Sequence, residues 1–315
     1  MNAVTSDQTR EVTTPMLGSV QAPSMPRTKS KSSFALGEYR VLGLLARGGT
    51  GGVYLGEHFV TGERVALKVL DPHWGKHDDV VTRMLDEHEI AQSADHPGLL
   101  QIHKAARASD GTPYLVMELL DGENLGDLVE RGRVVVGAIA AIGAQIASAV
   151  AALHDAGYIH CDIKPDNVFL LYEAGLEGWP RVKVIDYGVS QKTDAPARDS
   201  IAGTPSCMAP EQWRGATVAK SDVYSLGCLL YWLVTGHPPF TGPLPQLMLA
   251  HSNSLPTRPS MRRQQIPGEL ERMIMRCLQK DPAMRPTMRD LARDLETLAS
   301  WYPTGDVGQL LEAVG

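Results

Sequence analysis

The sequence predicts an α+β fold, and three observations predict it. The first 120 residues carry short β-rich runs: Y-R-V-L from Tyr39, V-A-L-K ending on Lys68, and P-Y-L-V-M-E-L-L from Pro113. Beyond them lie two apolar stretches that read as helices, one over residues 134–153 and one opening at Asp222. The chain, at 315 residues, is long for one compact core and comfortable for two lobes.

Composition removes several classes. A hydrophobic fraction of 43% is ordinary for a soluble globular protein. A net charge of −6 argues against a nucleic-acid binder, which usually shows a basic excess. The four cysteines, Cys161, Cys207, Cys228 and Cys277, are scattered and show no C-x-x-C spacing. That pattern suits buried free thiols in a reducing compartment, with no zinc site or disulfide framework. The N-terminus lacks the basic-then-apolar order of a signal peptide.

Residues 1–37 are rich in Ser, Thr and Pro and poor in large apolar residues, so they cannot bury enough surface to offset ordering entropy. A disordered tail is expected there, basic near its end at Arg27, Lys29 and Lys31. Ordered structure is expected from residue 38. The first strand runs into A-R-G-G-T-G-G-V, comprising Ala46, Arg47, Gly48, Gly49, Thr50, Gly51, Gly52 and Val53. Glycines let backbone N–H groups approach phosphates closely, and a strand follows the turn, unlike in a Walker loop. The V-A-L-K strand places Ala66 and Lys68 next. A helix is predicted over 78–94, containing D-E-H-E-I-A. His73 and His77 precede it and His88 lies within it, a loop–helix setting in which solvated histidines are expected rather than a metal cluster.

The chemistry concentrates between Tyr158 and Gly188. Y-I-H-C-D-I-K-P-D-N-V-F-L puts Asp162 two residues before Lys164 and five before Asn167, and V-K-V-I-D-Y-G ends a β-branched run on Asp186. Phosphoryl transfer needs a carboxylate for the nucleophilic hydroxyl, oxygen ligands for Mg²⁺ and a cation for developing charge. Those residue types are all present.

These blocks resemble the catalytic and metal loops of eukaryotic-like serine/threonine protein kinases, H-R-D-L-x-x-x-N and D-F-G. The likeness extends over residues 39–298: the 46–53 loop is similar to G-x-G-x-x-G-x-V, the strand to V-A-I-K, and Ala209 to Glu211 to A-P-E. The resemblance implies a bilobal fold with a small β-rich lobe (38–117, one helix), a larger helical lobe (118–298) and a short tail (299–315). It implies that Asp162 orients the substrate hydroxyl, that Lys164 steadies the transferring phosphate, and that Asn167 and Asp186 hold the metal. Lys68 would contact the α- and β-phosphates and pair with Glu87, Glu89 being the fallback. Residues 46–53, Ala66, Lys68 and Met117 would surround the nucleotide, with the backbone of Glu118 and Leu120 meeting the base. Asp222 would hydrogen-bond the catalytic-loop backbone, and Arg285 would be the buried partner of Glu211. ATP with Mg²⁺ or Mn²⁺, protein substrates and regulatory protein partners follow, in the cytoplasm and without nucleic acid or membrane.

The 134–153 stretch could span a bilayer by length, with only Gln145 and Ser148 polar. Its apolarity comes largely from Ala and Gly, and a spanning helix would separate the motifs on its two sides. A buried core helix is therefore expected.

Several positions depart from the family. Ala46 replaces the first loop glycine; a left-handed backbone there would cost about 1–2 kcal/mol. Cys161 replaces the arginine that usually grips a phosphate on the activation segment, a charge-assisted bond worth about 1.5–3 kcal/mol. Activity independent of activation-segment phosphorylation is expected, with Arg198 or Lys192 as partial substitutes. A redox-sensitive Cys161 would need electropositive neighbours. Tyr187 replaces Phe and brings a hydroxyl that needs a partner if buried. The connection from Asn167 to Asp186 is longer than usual, reading as an extended hairpin carrying Trp179. Thr204 with Lys164 points to Ser/Thr rather than Tyr acceptors, and Thr193, Ser200 and Thr204 are candidate autophosphorylation sites. The alternatives are a nucleotide-binding pseudokinase or scaffold, against which Lys68, Asp162, Asn167 and Asp186 all stand, and a kinase of small molecules.

Overall fold

The computed structural model describes residues 35–172, 178–196, 203–303 and 310–311. The small lobe is an antiparallel sheet of β1 (Ala35–Leu36), β2 (Tyr39–Arg47), β3 (Gly51–His58), β4 (Arg64–Leu70), β5 (Ile102–Arg107) and β6 (Pro113–Met117). Its order is β1-β2-β3-β4-β6-β5. Side chains alternate faces along a strand, and β4 uses both. Val65, Leu67 and Val69 pack with Leu36, Val41, Tyr114 and Val116 on one face. Ala66 and Leu70, flanking Lys68, face the principal core with Leu115 and Met117.

Helix α1 (Asp78–Ser93) covers that second face. Val80, Val81, Met84, Glu87 and Ile90 form its buried stripe at helical spacing, and Asp78 and Asp79 complement the dipole of its first turn. Glu87 is the one carboxylate on the stripe. The helix ends one residue short of the predicted bound. Expectation and structure differ at the N-terminus: the sheet starts at Ala35, inside the stretch read as tail, because Leu36 is buried and pairs with Tyr39.

The large lobe contains β7 (Gly122–Asn124), α2 (Leu125–Arg131), α3 (Val136–Asp155), β8 (Tyr158–Ile159), β9 (Val168–Leu171), β10 (Arg181–Val184) and β11 (Gln191–Lys192). Then come α4 (Ala219–Thr235), α5 (Leu244–Asn253), α6 (Gly268–Cys277) and α7 (Met288–Ala299). Asn124 caps α2 by accepting the Gly126 N–H at 2.7 Å. Strands β10, β9 and β7 form a small sheet and β11 pairs with β8.

Helix α3 is long and apolar enough to cross a membrane, yet two thirds of its apolar window (67%) is buried within the fold. Its small residues serve close packing. A Cβ on Gly143 would lie 2.7 Å from Leu230 of α4 and 3.2 Å from Leu295 of α7. Trp179 of the long hairpin packs beside α3, 2.9 Å from where a Gly137 Cβ would stand, next to Tyr302. Gln145 fixes the same hairpin, donating to the Pro180 carbonyl at 3.0 Å and accepting from Val182 N–H at 3.0 Å. The stretch expected as a C-terminal tail returns to the lobe at Leu310, which is buried and accepts the Val135 N–H at 2.9 Å; Leu311 bridges to Val134.

The two lobes are stitched behind the cleft by backbone hydrogen bonds. Val184 N–H donates to Gly98 at 2.8 Å and Leu100 N–H to Val184 at 3.0 Å. These bonds set β10, and hence Asp186, in register with the small lobe.

Candidate active site

A cleft of about 570 Å³ opens between the sheet of the small lobe and the end of β10. Residues 46–53, Lys68, Val80, Met84, Glu87, Leu100, Met117, Asn167, Ile185, Asp186 and Gly188 line it. Of the nucleotide-contacting residues expected from sequence, Ala66, Glu118 and Leu120 are not among its lining. Ala66 sits opposite Met117 in the β4–β6 ladder. The Glu118 N–H is already donated to Gln101 at 3.1 Å, so only its carbonyl is left for a base.

The loop over 46–53 is an ordinary β-hairpin in backbone terms. Ala46 lies in β2 opposite Val53 and is not left-handed, so the penalty considered for it does not arise. Glycine is required at Gly51 instead, where a Cβ would fall 2.0 Å from the Val69 carbonyl.

Lys68 is held by three oxygens, donating to Glu87 Oε1 at 2.7 Å, Glu87 Oε2 at 2.8 Å and Asp186 Oδ1 at 3.0 Å. Burial works to lower the Lys68 ammonium, but the two carboxylates together outweigh it and hold it above its usual range. Burial pushes Glu87 up, to about 7, against the opposing pull of Lys68. Burial also works to raise Asp186, and there the Lys68 charge wins and holds the carboxyl below its usual value. The Asp186 side chain keeps 47% of its surface open to the cleft, though walled on most sides. The fallback Glu89 is not in the cleft: it accepts from Tyr158 Oη at 3.2 Å and lies 3.7 Å from Lys192.

Beside Asn167, and not itself among the residues that line the cleft, Asp162 is surrounded by donors. Its Oδ1 accepts the Thr204 N–H at 2.8 Å; its Oδ2 accepts from Asn167 Nδ2 at 2.9 Å and lies 2.9 Å from Lys164 Nζ. Lys164 Nζ also donates to Thr204 Oγ1 at 2.8 Å. Asn167 uses its NH₂ on Asp162, which leaves its amide oxygen for a cation.

The loop that carries Asp162 is anchored from beneath. Buried Asp222 accepts the N–H of His160 and of Cys161, each at 2.8 Å, and the His154 ring nitrogen lies 2.8 Å away. Burial opposes ionisation of Asp222, but His154 and the loop donors hold its carboxyl below the usual value. Glu211 and Arg285 form the expected buried pair, bidentate at 2.6 and 2.9 Å. The Tyr187 hydroxyl donates to the Leu100 carbonyl at 3.2 Å, the partner its burial demanded.

Sequence reasoning missed three supports. Gln212 donates to the Cys161 carbonyl at 2.9 Å and accepts from Ala209 N–H at 2.9 Å. Lys183 donates to Glu118 at 2.6 Å and to the Leu99 carbonyl at 3.1 Å. His154 was indistinguishable from any helix-end histidine. Lys183 gave no signal either: strand alternation puts it on the face opposite Val182 and Val184, yet all three are buried. Cys161 itself is buried and donates from Sγ to the Ile159 carbonyl at 3.4 Å. Lys192 uses its charge on Glu89 and the Tyr158 ring, away from the Asp162 cluster. Arg198 and Ser200 lie outside the described residues.

Residues 39–295 match the protein kinase domain family. The chain belongs to the protein kinase family. This kinase domain is similar to serine/threonine-protein kinase Pkn1 of Myxococcus xanthus, 38% identical over 255 residues that cover 79% of this chain and 36% of that protein. It is similar to PkaA of Streptomyces coelicolor, 36% identical over 272 residues covering 81% and 49%, and to PknB of Mycobacterium leprae, 32% identical over 276 residues covering 84% and 43%. The kinase chain spans between about a third and a half of the length of these curated relatives.

Proposed function

We propose that this kinase domain transfers the γ-phosphoryl group of ATP to Ser or Thr hydroxyls of proteins. The observation that carries the reading is the convergence of Lys68, Glu87 and Asp186 in a cleft also lined by Asn167, which binds Asp162 and through it adjoins Lys164. A pseudokinase is usually marked by loss of the lysine, the catalytic aspartate or the metal aspartate, and Lys68, Asp162 and Asp186 are all present and partnered.

In this reading residues 46–53 cover the phosphates, Ala66 and Met117 border the adenine, and the Glu118 carbonyl with the Leu120 N–H meets its edge. Lys68, fixed by Glu87, binds the α- and β-phosphates. The acceptor hydroxyl enters beside Asp162, which orients it and takes its proton. The hydroxyl oxygen bonds to the γ-phosphorus as the bridge to the β-phosphate breaks, and ADP leaves with the bonding pair. Lys164 neutralises charge on the moving group, and Thr204, bound to both Asp162 and Lys164, forms the floor on which the acceptor lies.

The donor set fits a hard divalent cation. Asp186 has a second carboxylate oxygen beyond the one used by Lys68, and Asn167 has its amide oxygen. Among the described residues no group of three His, Cys, Asp or Glu side chains could hold a metal alone. Mg²⁺ suits such a site because it keeps waters and takes substrate phosphate oxygens, supplying charge neutralisation when bound; Mn²⁺ would serve similarly. Four free, buried cysteines support a cytoplasmic setting. Regulatory protein partners would act through surfaces beyond this cleft.

The test is to incubate the purified chain with ATP, Mg²⁺ and a generic acceptor protein and map every phosphosite. Phosphoserine and phosphothreonine are expected. Phosphotyrosine alone, or phosphorylation of small molecules only, would contradict the assignment.

A further inference from the structure

Between β4 and α1 the chain reads D-P-H-W-G-K-H, an aromatic residue set in a polar connection. The nucleotide reading above gives this segment no role. Trp74 is partly buried against the principal core and lines the cleft. Its indole N–H donates to the Gly49 carbonyl at 3.2 Å, at the tip of the glycine-rich loop. Two neighbours reinforce the contact: Asp71 N–H donates to the Thr50 carbonyl at 3.0 Å, and the Asp71 carboxylate lies 3.6 Å from Arg47. The segment therefore grips two successive carbonyls of the loop.

Those grips orient the loop. In a trans peptide the N–H points opposite to its C=O. With the Gly49 carbonyl turned to Trp74, the Thr50 N–H is aimed away from the 71–77 segment and is free of competition from it. Glycines flank this peptide on one side and follow it on the other, so without an external hold the tip would sample many conformations. Trp74 also touches the residue that precedes α1, ring tilted against ring. Its ring lies 5.4 Å from that of His77, the residue preceding α1, and 5.3 Å from that of His73. The His77 carbonyl accepts the N–H of Val80 and Val81. Loop tip and α1, which carries Glu87, thus share one aromatic side chain.

We propose that Trp74 is a positioning residue for the nucleotide's phosphates: it clasps the glycine-rich loop in its phosphate-binding shape and ties that shape to α1. The inference rests on the nucleotide reading of the cleft. It assigns to this side chain a share, beside Lys68 and the loop itself, of the discrimination between a nucleoside and its triphosphate.

The experiment compares the unmodified chain with Trp74→Phe, which keeps an aromatic ring and deletes the donor, and Trp74→Ala. Calorimetry would read the affinity for Mg-ATP and for adenosine, and steady-state assays would separate KM for ATP from kcat. Trp74→Phe should weaken ATP binding and raise its KM by roughly three- to tenfold, the effect of one neutral hydrogen bond, with adenosine affinity and thermal midpoint unchanged. Trp74→Ala should lose more ATP affinity, again with adenosine spared. Equal losses for ATP and adenosine, no loss for either, or a Trp74→Phe chain that does not fold would overturn the proposal. Failure of the unmodified chain itself to bind ATP would overturn the nucleotide reading beneath it, and is told apart because no variant is needed to see it.

Discussion

Cys161 holds a left-handed backbone, φ 70°, while donating its N–H to Asp222 at 2.8 Å. A side chain other than glycine costs about 1–2 kcal/mol in that region. The strain persists because a buried carboxylate binds two successive N–H groups and so dictates the turn that presents Asp162. Asp222→Ala should therefore destabilise the fold by about 3–5 kcal/mol, since it removes the acceptor from buried donors. It should also abolish phosphate transfer. Denaturant titration and an activity assay check both.

Acid should reveal the same carboxylate. Its folded pKa lies below the unfolded value of 3.8, so its stabilisation is present above 3.8 and is lost as pH falls through the folded value. The stability gap between the unmodified chain and Asp222→Asn should thus narrow as pH falls from 5 towards 2.5. A gap that stays constant across that range would contradict this origin.

Glu87 gives the opposite sign. Its folded pKa, about 7, is above the model-peptide value of 4.5, so its ionisation costs stability as pH rises through that window. Activity needs the ionised form to hold Lys68, and should fall as pH drops below about 7. A kcat/KM profile for ATP should show that acid limb. Glu87→Gln should be slower by roughly ten- to a hundredfold, the loss of one charge-assisted bond, and should lack the limb.

How much of this was legible in the sequence depended on whether a residue acts through a motif or through packing. Lys68, Asp162, Asn167 and Asp186 stand at fixed offsets within short strings; the fold lines the cleft with Lys68, Asn167 and Asp186 and sets Asp162 against Asn167. The resemblance favours Glu87 over Glu89, and the buried stripe of α1, which holds Glu87 and not Glu89, is the physical reason. Gln212, Lys183 and Trp74 act across 51, 65 and 25 residues of chain respectively, distances at which no local pattern survives. The apolar run over 134–153 is the buried core helix its Ala and Gly content indicated, apolar because three helices meet at Gly143. Ala35 and Leu310 escaped because two residues are enough to join a sheet or fill a groove, and too few to make a period.

Arg285 is buried with Glu211 and shares its remaining N–H groups with the carbonyls of Lys220, Gln279 and Lys280. Arg285→Met would leave Glu211 without its counter-charge and should cost about 3–5 kcal/mol. Arg285→Lys should rescue little, because one ammonium cannot reproduce the fork. Thermal unfolding of both variants is the measurement.

Activation is expected to be independent of phosphate on the segment before Ala209. Where the family's arginine would stand, Cys161 offers no cation, and the catalytic loop is braced by the neutral Gln212 contact. Phosphatase treatment should leave at least half of the activity. A near-complete loss would show that a phosphate is being gripped by another group.

The central claim is that Asp162 handles the acceptor hydroxyl in a working transferase. Its most direct test is transfer of labelled γ-phosphate from ATP by the purified chain, beside Asp162→Asn at equal protein and equal ATP occupancy. Asn keeps the volume and one acceptor but cannot take a proton. Incorporation that falls by a thousandfold or more in the variant, with ATP affinity retained, is the predicted result. Equal incorporation by the two chains, or none by the unmodified chain despite bound ATP, would contradict it.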